Sequence, residues 1–154
     1  MSLTDSRKLL HALFIPCNIF VSGILACHLP LQKHRRTGLK LEIIFPYDLI
    51  TQSEIDQLGA KAKHEIFSRC KSHLDDAHLM IALLDGSQVD DGTAWEIGYF
   101  YAKRSPQRKI IGVRTDCRQA GESEGAVVDA MIECSCDWIV RAREELLEAV
   151  SHSF

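Results

Sequence analysis

The chain has 154 residues, 46% of them hydrophobic, enough for one domain with a sizeable core, and no apolar run is long enough to cross a membrane. Eighteen basic residues against 21 acidic ones leave a net charge of -3, which argues against a nucleic-acid polymer as partner and for a small neutral or weakly charged ligand. The six cysteines form no CxxC pair and the opening residues lack a basic-then-apolar leader, so the expectation is free thiols in a reducing, cytoplasmic compartment.

Ala12–Ile15 predicts a first strand, ended by Pro16, and Phe20 to Arg36 predicts a helix that contains Gly23 and Pro30. Lys33-His34-Arg35-Arg36 reads as the solvated end of that helix. Gly38 then turns the chain into a second strand, Leu39–Phe45, stopped by Pro46, and Tyr47–Ser53 reads as a loop. Ile55, Leu58, Ala62, Ile66, Phe67, Cys70 and Leu74 recur near three-to-four spacing and predict a long helix to about Ala77. Leu79–Leu84 is a continuous apolar run, the pattern of a buried parallel strand. Asp91-Gly92 reads as a turn, and Thr93-Ala94-Trp95-Glu96 has the spacing of a capping box. The helix behind it covers Ala94–Lys103 and breaks at Ser105-Pro106. Lys109–Val113 is the fourth strand, Thr115–Gly125 a polar loop, Ala126–Glu133 a short helix, Asp137–Val140 the fifth strand and Ala142–Ala149 a closing helix. Strands alternating with helices imply an α/β fold: a parallel five-stranded sheet covered on both faces, a flavodoxin- or Rossmann-like three-layer sandwich, with residues 1–154 as a single domain.

The acidic segment after the third strand carries the chemistry. It brings Asp90 and Glu96 to the carboxyl edge of the sheet, where open α/β sheets bind ligands. With Glu96 in the first helical turn, the dipole favours its ionised form. An ionised, partly enclosed glutamate beside a second acid is a candidate nucleophile toward a glycosidic carbon. The plainer readings are a capping role for Glu96 and a turn-organising role for Asp90. Asp91 and Gly92 read as turn residues or substrate contacts. Asp85-Gly86, just past the strand, reads as a turn or as pocket lining. Tyr99, one turn beyond Glu96, either orients its carboxylate or packs. Asp48 and Asp116 follow the second and fourth strands on the same edge. No GxGxxG follows the first strand, where Pro16-Cys17-Asn18 stands, and neither GxxxxGK[ST] nor HExxH occurs. His73 and His78 are the only histidine pair near helical spacing and read as surface or cap residues.

LLDGSQVDDGTAWEIGY resembles the nucleoside 2-deoxyribosyltransferase family. That family's pattern runs from an apolar strand, often ended by a DG pair, through an aspartate, a glycine and small residues to EIGY or ELGY. Leu83-Leu84-Asp85-Gly86 matches the first part, and Asp90, Gly92, Thr93, Ala94, Glu96, Ile97, Gly98 and Tyr99 match the second. Ile110–Asp116 looks like the following strand and loop, and Phe14-Ile15-Pro16 is loosely similar to the first strand and loop. The resemblance implies a small α/β fold, no metal or organic cofactor, and assembly into homodimers or larger even oligomers in which a neighbouring subunit completes each site. It implies that Glu96 attacks the anomeric carbon of a 2'-deoxynucleoside and that Asp90 helps to hold sugar and base. Two positions depart from the family pattern: Cys70 stands where an active-site aspartate is common, and Asp129 where an asparagine precedes a methionine-containing segment. Both alter hydrogen-bond partners for sugar or base.

The expected function is therefore retaining, two-step transfer of a 2-deoxyribosyl group from a 2'-deoxynucleoside to a free nucleobase through a deoxyribosyl-glutamate. Two alternatives stand beside it: an N-glycosidase acting on deoxynucleosides or their 5'-monophosphates with the same glutamate, and a silent nucleotide-binding module. The expected partners are small molecules and further copies of the chain, with neither a nucleic-acid polymer nor a membrane. Trp95, Phe100 and Tyr101 crowd one helix and cannot all face one sheet, so at least one is expected to face a partner subunit.

Overall fold

Strand β1 is Cys17–Ser22. Ile19, Phe20 and Val21 are fully buried and alternate between two cores, a two-residue period that a strand satisfies and a helix does not. This corrects the helix expected from Phe20. The computed structural model describes residues 17–23 and 41–154. The strand expected at Ala12–Ile15, the remainder of the helix to Arg36 and the turn at Gly38 lie outside the described residues.

Strand β2 (Leu41–Ile44) runs parallel to β1, with Ile43 opposite Ile19. A 3-10 turn, Pro46–Asp48, follows it. The expected long helix is two helices, α1 (Gln52–Leu58) and α2 (Ala62–Asp76), separated by a 3-10 turn at Gly59–Lys61. Thr51 starts α1 with a reciprocal capping box: its hydroxyl accepts from the Glu54 N–H at 3.3 Å while Glu54 Oε2 accepts from the Thr51 N–H at 2.8 Å. Gly59 ends α1 at φ +51°, a conformation that a side chain would oppose.

Strand β3 (Leu79–Leu83) lies between β1 and β4 (Lys109–Val113), and β5 (Trp138–Val140) pairs with the far side of β4. Helix α3 (Asp91–Ala102) joins β3 to β4, the short α4 (Ala130–Glu133) precedes β5, and α5 (Arg143–His152) closes the described chain. All pairs are parallel and the strand order is β2-β1-β3-β4-β5, so the expected five-stranded parallel sheet is present. On one face Ile19, Val21, Leu79, Ile81, Ile111 and Val113 pack under Leu146, Ala149 and Val150 of α5. On the other, Phe20, Met80, Ala82 and Ile110 pack under Leu74 of α2 and Ile97 and Phe100 of α3. This is a three-layer α/β sandwich of flavodoxin- or Rossmann-like type. Among the described residues no helix is long and apolar enough to cross a membrane.

The connections leave β1 and β3 in opposite directions along the sheet, so the chain reverses its direction of build between these two neighbours. A crevice opens at the carboxyl ends of strands at such a switch point. Here those ends are Ser22-Gly23 and the segment from Leu84 to Asp90.

Candidate functional site

Helix α3 begins three residues before the expected Ala94. Asp90 is its N-cap: Oδ2 accepts from the Thr93 N–H at 3.1 Å. Glu96 therefore stands in the second turn, which corrects its expected place in the first. Thr93 cannot cap the helix because it is buried inside it, with its Oγ1 3.1 Å from Ser22 Oγ. Gly23 makes room for this meeting. Its φ is +87°, and a Cβ there would lie 2.9 Å from Leu83 Cβ and 3.7 Å from Thr93 Oγ1.

The second turn points Glu96 across the crevice to β1, where the Ser22 hydroxyl donates to its Oε2. Burial pushes the Glu96 carboxyl above the usual glutamate range; the Ser22 bond opposes this, and the Asp90 charge adds to it. In the second turn Glu96 stands beyond the strongest reach of the helix-start dipole, and burial sets the direction of its shift. Cys70, half-buried on α2, lies within range of the Glu96 charge: its thiol is pushed up by burial first and by that charge second. The structure brings Asp90, Glu96 and Cys70 together. It adds Ser22 and the inward face of Thr93, which the sequence reading did not assign to the site.

Asp85 and Gly86 meet a different partner. Asp85 Oδ1 accepts from the N–H groups of Thr115 at 2.7 Å and Asp116 at 3.0 Å, and Oδ2 accepts from the Thr115 hydroxyl at 2.6 Å. Gly86 N–H donates back to Asp116 Oδ2 at 3.3 Å. The Arg118 guanidinium holds the Asp116 carboxyl well below the usual carboxylate range. Beneath them Arg114 is fully buried, its Nη1 donating to the Leu84 carbonyl and its Nη2 to that of Arg118 at 3.0 Å. The acidic loop after β3 and the loop after β4 are thereby latched together.

A cavity of about 220 Å³ lies beside the start of α3, lined by Ser87, Gln88, Val89, Ala94, Ala120 and Asp129 among others. Asp129 also caps α4, accepting from the Met131 N–H at 2.8 Å, and a hydrogen bond with Glu122 lowers its carboxyl. Asp91 and Gly92 form the exposed first turn of α3, where Asp91 Oδ1 accepts from the Gly92 N–H at 2.8 Å. Asp48 is exposed at the end of the 3-10 turn after β2, on the same sheet edge. Tyr99 turns away from the crevice. Its hydroxyl donates to Asp75 Oδ1 at 2.7 Å and its ring stacks on Trp95 at 5.1 Å between centroids. Lys103, Lys71 and Tyr99 together drive the Asp75 carboxyl far below its ordinary value. Of the three crowded aromatics, Phe100 is core, while Trp95 and Tyr101 are exposed. Among the described residues no three of His, Cys, Asp and Glu converge as a metal-binding group.

The sequence matches the profile of the nucleoside 2-deoxyribosyltransferase family over residues 28–131. The fold is similar to that of a conserved protein from Enterococcus faecalis V583, with a TM-score of 0.65 at 20% identity, covering 91% of this chain and 100% of that one. It is similar to a 2-desoxiribosyltransferase from Leishmania mexicana, with a TM-score of 0.62 at 20% identity over 87% of this chain and 96% of that one. A 2-deoxyribosyltransferase from the psychrotolerant bacterium Bacillus psychrosaccharolyticus aligns with a TM-score of 0.60 at 16% identity, over 84% and 90% of the two chains. At these identities the likeness concerns the fold alone. No curated protein matches the sequence at a significant level.

Proposed function

The chain belongs to the nucleoside 2-deoxyribosyltransferase family, and from that premise we propose that it moves the 2-deoxyribosyl group of a 2'-deoxynucleoside to an acceptor nucleobase, with Glu96 as nucleophile. The observation that carries this reading is a half-buried carboxyl at the β1/β3 switch point, held by Ser22 and set beside Asp90. Glu96 attacks C1' from the face opposite the base. The C1'–N bond breaks, a C1'–O ester forms, and the departing base gains a proton. Asp90 is the candidate donor, by position. The acceptor base then attacks C1' from the side the first base left and gives its N–H proton back to Asp90, the C1'–O ester bond breaks to restore the Glu96 carboxylate, and two inversions give retention.

A raised Glu96 pKa fits this chemistry, because a more basic carboxylate is a stronger nucleophile once ionised. It also places the acid limb of activity above the usual glutamate range, since the protonated carboxyl cannot attack. Cys70 and Asp129 are read as shaping the sugar or base pocket, with Asp91 and Gly92 lining its entrance. Asp85 and Gly86 are read as anchoring its wall. Asp48 is read as a base-side residue on the same edge. The substrates are small nucleosides and nucleobases, and residues 1–154 are read as one domain. Trp95, Tyr101 and Met131 are exposed apolar residues suited to a homodimer or larger even oligomer with shared sites. Sedimentation during turnover tests this, and a fully active monomer refutes it.

The deciding experiment incubates a 2'-deoxynucleoside with a different free base and follows the new nucleoside. Exchange is expected in the wild type and lost in Glu96→Ala. Free deoxyribose as the sole sugar product despite excess acceptor base assigns a hydrolase instead, and repeating the assay with the 5'-monophosphate separates nucleoside from nucleotide substrates. A folded Glu96→Ala with near-normal turnover refutes the nucleophile.

A further inference from the structure

Ser22 has no packing reason to be a serine. β1 is apolar and fully buried from Ile19 to Val21, and Ser22 is equally buried at its end. A buried hydroxyl is costly unless it is hydrogen-bonded. Its partners are both on α3, more than 70 residues away: Glu96 Oε2, and Thr93 Oγ1 at 3.1 Å. Thr93 is buried too, and its hydroxyl continues to Asp90 Oδ2 at 3.4 Å. A line of oxygens thus runs Glu96, Ser22, Thr93, Asp90. Gly23 permits it by removing the Cβ that would collide with Leu83 beside Thr93.

We propose that Ser22 is a positioning residue for the Glu96 nucleophile, and that Ser22 and Thr93 form a hydroxyl bridge linking the charge state of Glu96 to Asp90. The proposal rests on the reading of Glu96 given above. Ser22 has one proton to donate. When Glu96 is ionised that proton goes to Oε2, which stabilises the carboxylate and leaves Oε1 as the attacking oxygen. When Glu96 is protonated it donates to Ser22 Oγ, Ser22 donates to Thr93 Oγ1, and Thr93 donates to Asp90 Oδ2. Between the two states Glu96 exchanges one proton with solvent, while Ser22 and Thr93 keep theirs and the Ser22 hydroxyl turns from Glu96 Oε2 to Thr93 Oγ1. Among the described residues, Ser22 of β1 donates to the carboxyl, the Asp90 charge at the start of α3 acts on it, and Cys70 of α2 feels its charge. Ser22 is the donor that counters burial there.

The test compares Ser22→Ala, Ser22→Cys and Thr93→Val with the wild type by two readouts. The first is the titration of the Glu96 carboxyl by carbon NMR, its resonance assigned by its absence in Glu96→Gln. The second is the kcat and KM of base exchange. Ser22→Ala is expected to raise the Glu96 pKa and to lower kcat about 10- to 100-fold, with KM within about threefold, the signature of a lost charge-assisted bond near the reacting atom. Ser22→Cys, a similar volume with a weaker donor, falls between. Thr93→Val keeps the Ser22–Glu96 bond and weakens the response of the Glu96 pKa to Asp90→Asn. A Ser22→Ala protein whose Glu96 titrates as in the wild type, or whose kcat lies within about twofold, overturns the proposal. Should that variant fail to fold, Ser22→Cys decides by the same criteria. The titration needs no turnover, so it stands if Glu96→Ala proves active and the functional reading fails. An inactive Glu96→Ala beside a wild-type-like Ser22→Ala removes the bridge alone.

Discussion

Replacing Asp85 by alanine separates an anchoring role from a sugar-binding one. The carboxylate accepts from Thr115 N–H at 2.7 Å, Asp116 N–H at 3.0 Å and Thr115 Oγ1 at 2.6 Å, so three of its roughly four acceptor sites are taken within the protein. Bonds to a charged acceptor contribute about 1.5–3 kcal/mol when buried. These lie at the surface, and water rehydrates the freed donors, so the expected loss for all three is about 1–2 kcal/mol. For a chain of this size that is a fall in Tm of roughly 2–8 °C. Asp85→Asn keeps one acceptor oxygen and should lose about half as much. The loop after β4 should loosen as well. Arg118, exposed on it and paired with Asp116, becomes a faster trypsin site, followed by mass spectrometry of the first cleavage product. A sugar ligand at Asp85 predicts the reverse pattern: unchanged Tm and cleavage rate with a raised KM for the nucleoside. Unchanged melting and proteolysis in Asp85→Ala refute the latch.

Glu96→Gln should be inactive yet more stable than the wild type at neutral pH. The folded-state pKa of Glu96 is raised by burial, so its contribution to stability is present at low pH and lost as pH rises through that value. Glutamine carries no desolvated charge, so the two proteins should melt apart at pH 7 and together below about pH 4; equal Tm values at both refute the sign. Tyr99→Phe should cost about 0.5–1.5 kcal/mol in urea denaturation through loss of the bond to Asp75, with kcat within about twofold. A tenfold fall in kcat would mean that the hydroxyl serves the crevice after all.

Much of the architecture was legible because it depends on local pattern. LMIAL and KIIGV are continuous apolar runs, which only a strand buried on both faces tolerates at that length, and the observed β3 and β4 follow them. The acidic segment between strand and helix was equally plain, and it carried the resemblance to the family. Local pattern could not choose between neighbouring candidates of similar strength. Asp90 and Thr93 are both competent caps three residues apart; Asp90 takes the role because Thr93 is drawn inward by Ser22. Ala12–Ile15 and Ile19–Val21 are both short apolar runs, and only pairing with Leu79–Ala82 identifies a strand that reaches Ser22. The charge preference of Glu96 is the clearest case. Its position in the chain predicts dipole stabilisation, whereas its environment is set by β1 and α2, elements 74 and 26 residues away that exclude water from the carboxyl. Sequence determines which groups can titrate and which segments must be buried. The protonation energy depends on solvent and on through-space neighbours, and those exist only once β1, β3 and the two helices have packed.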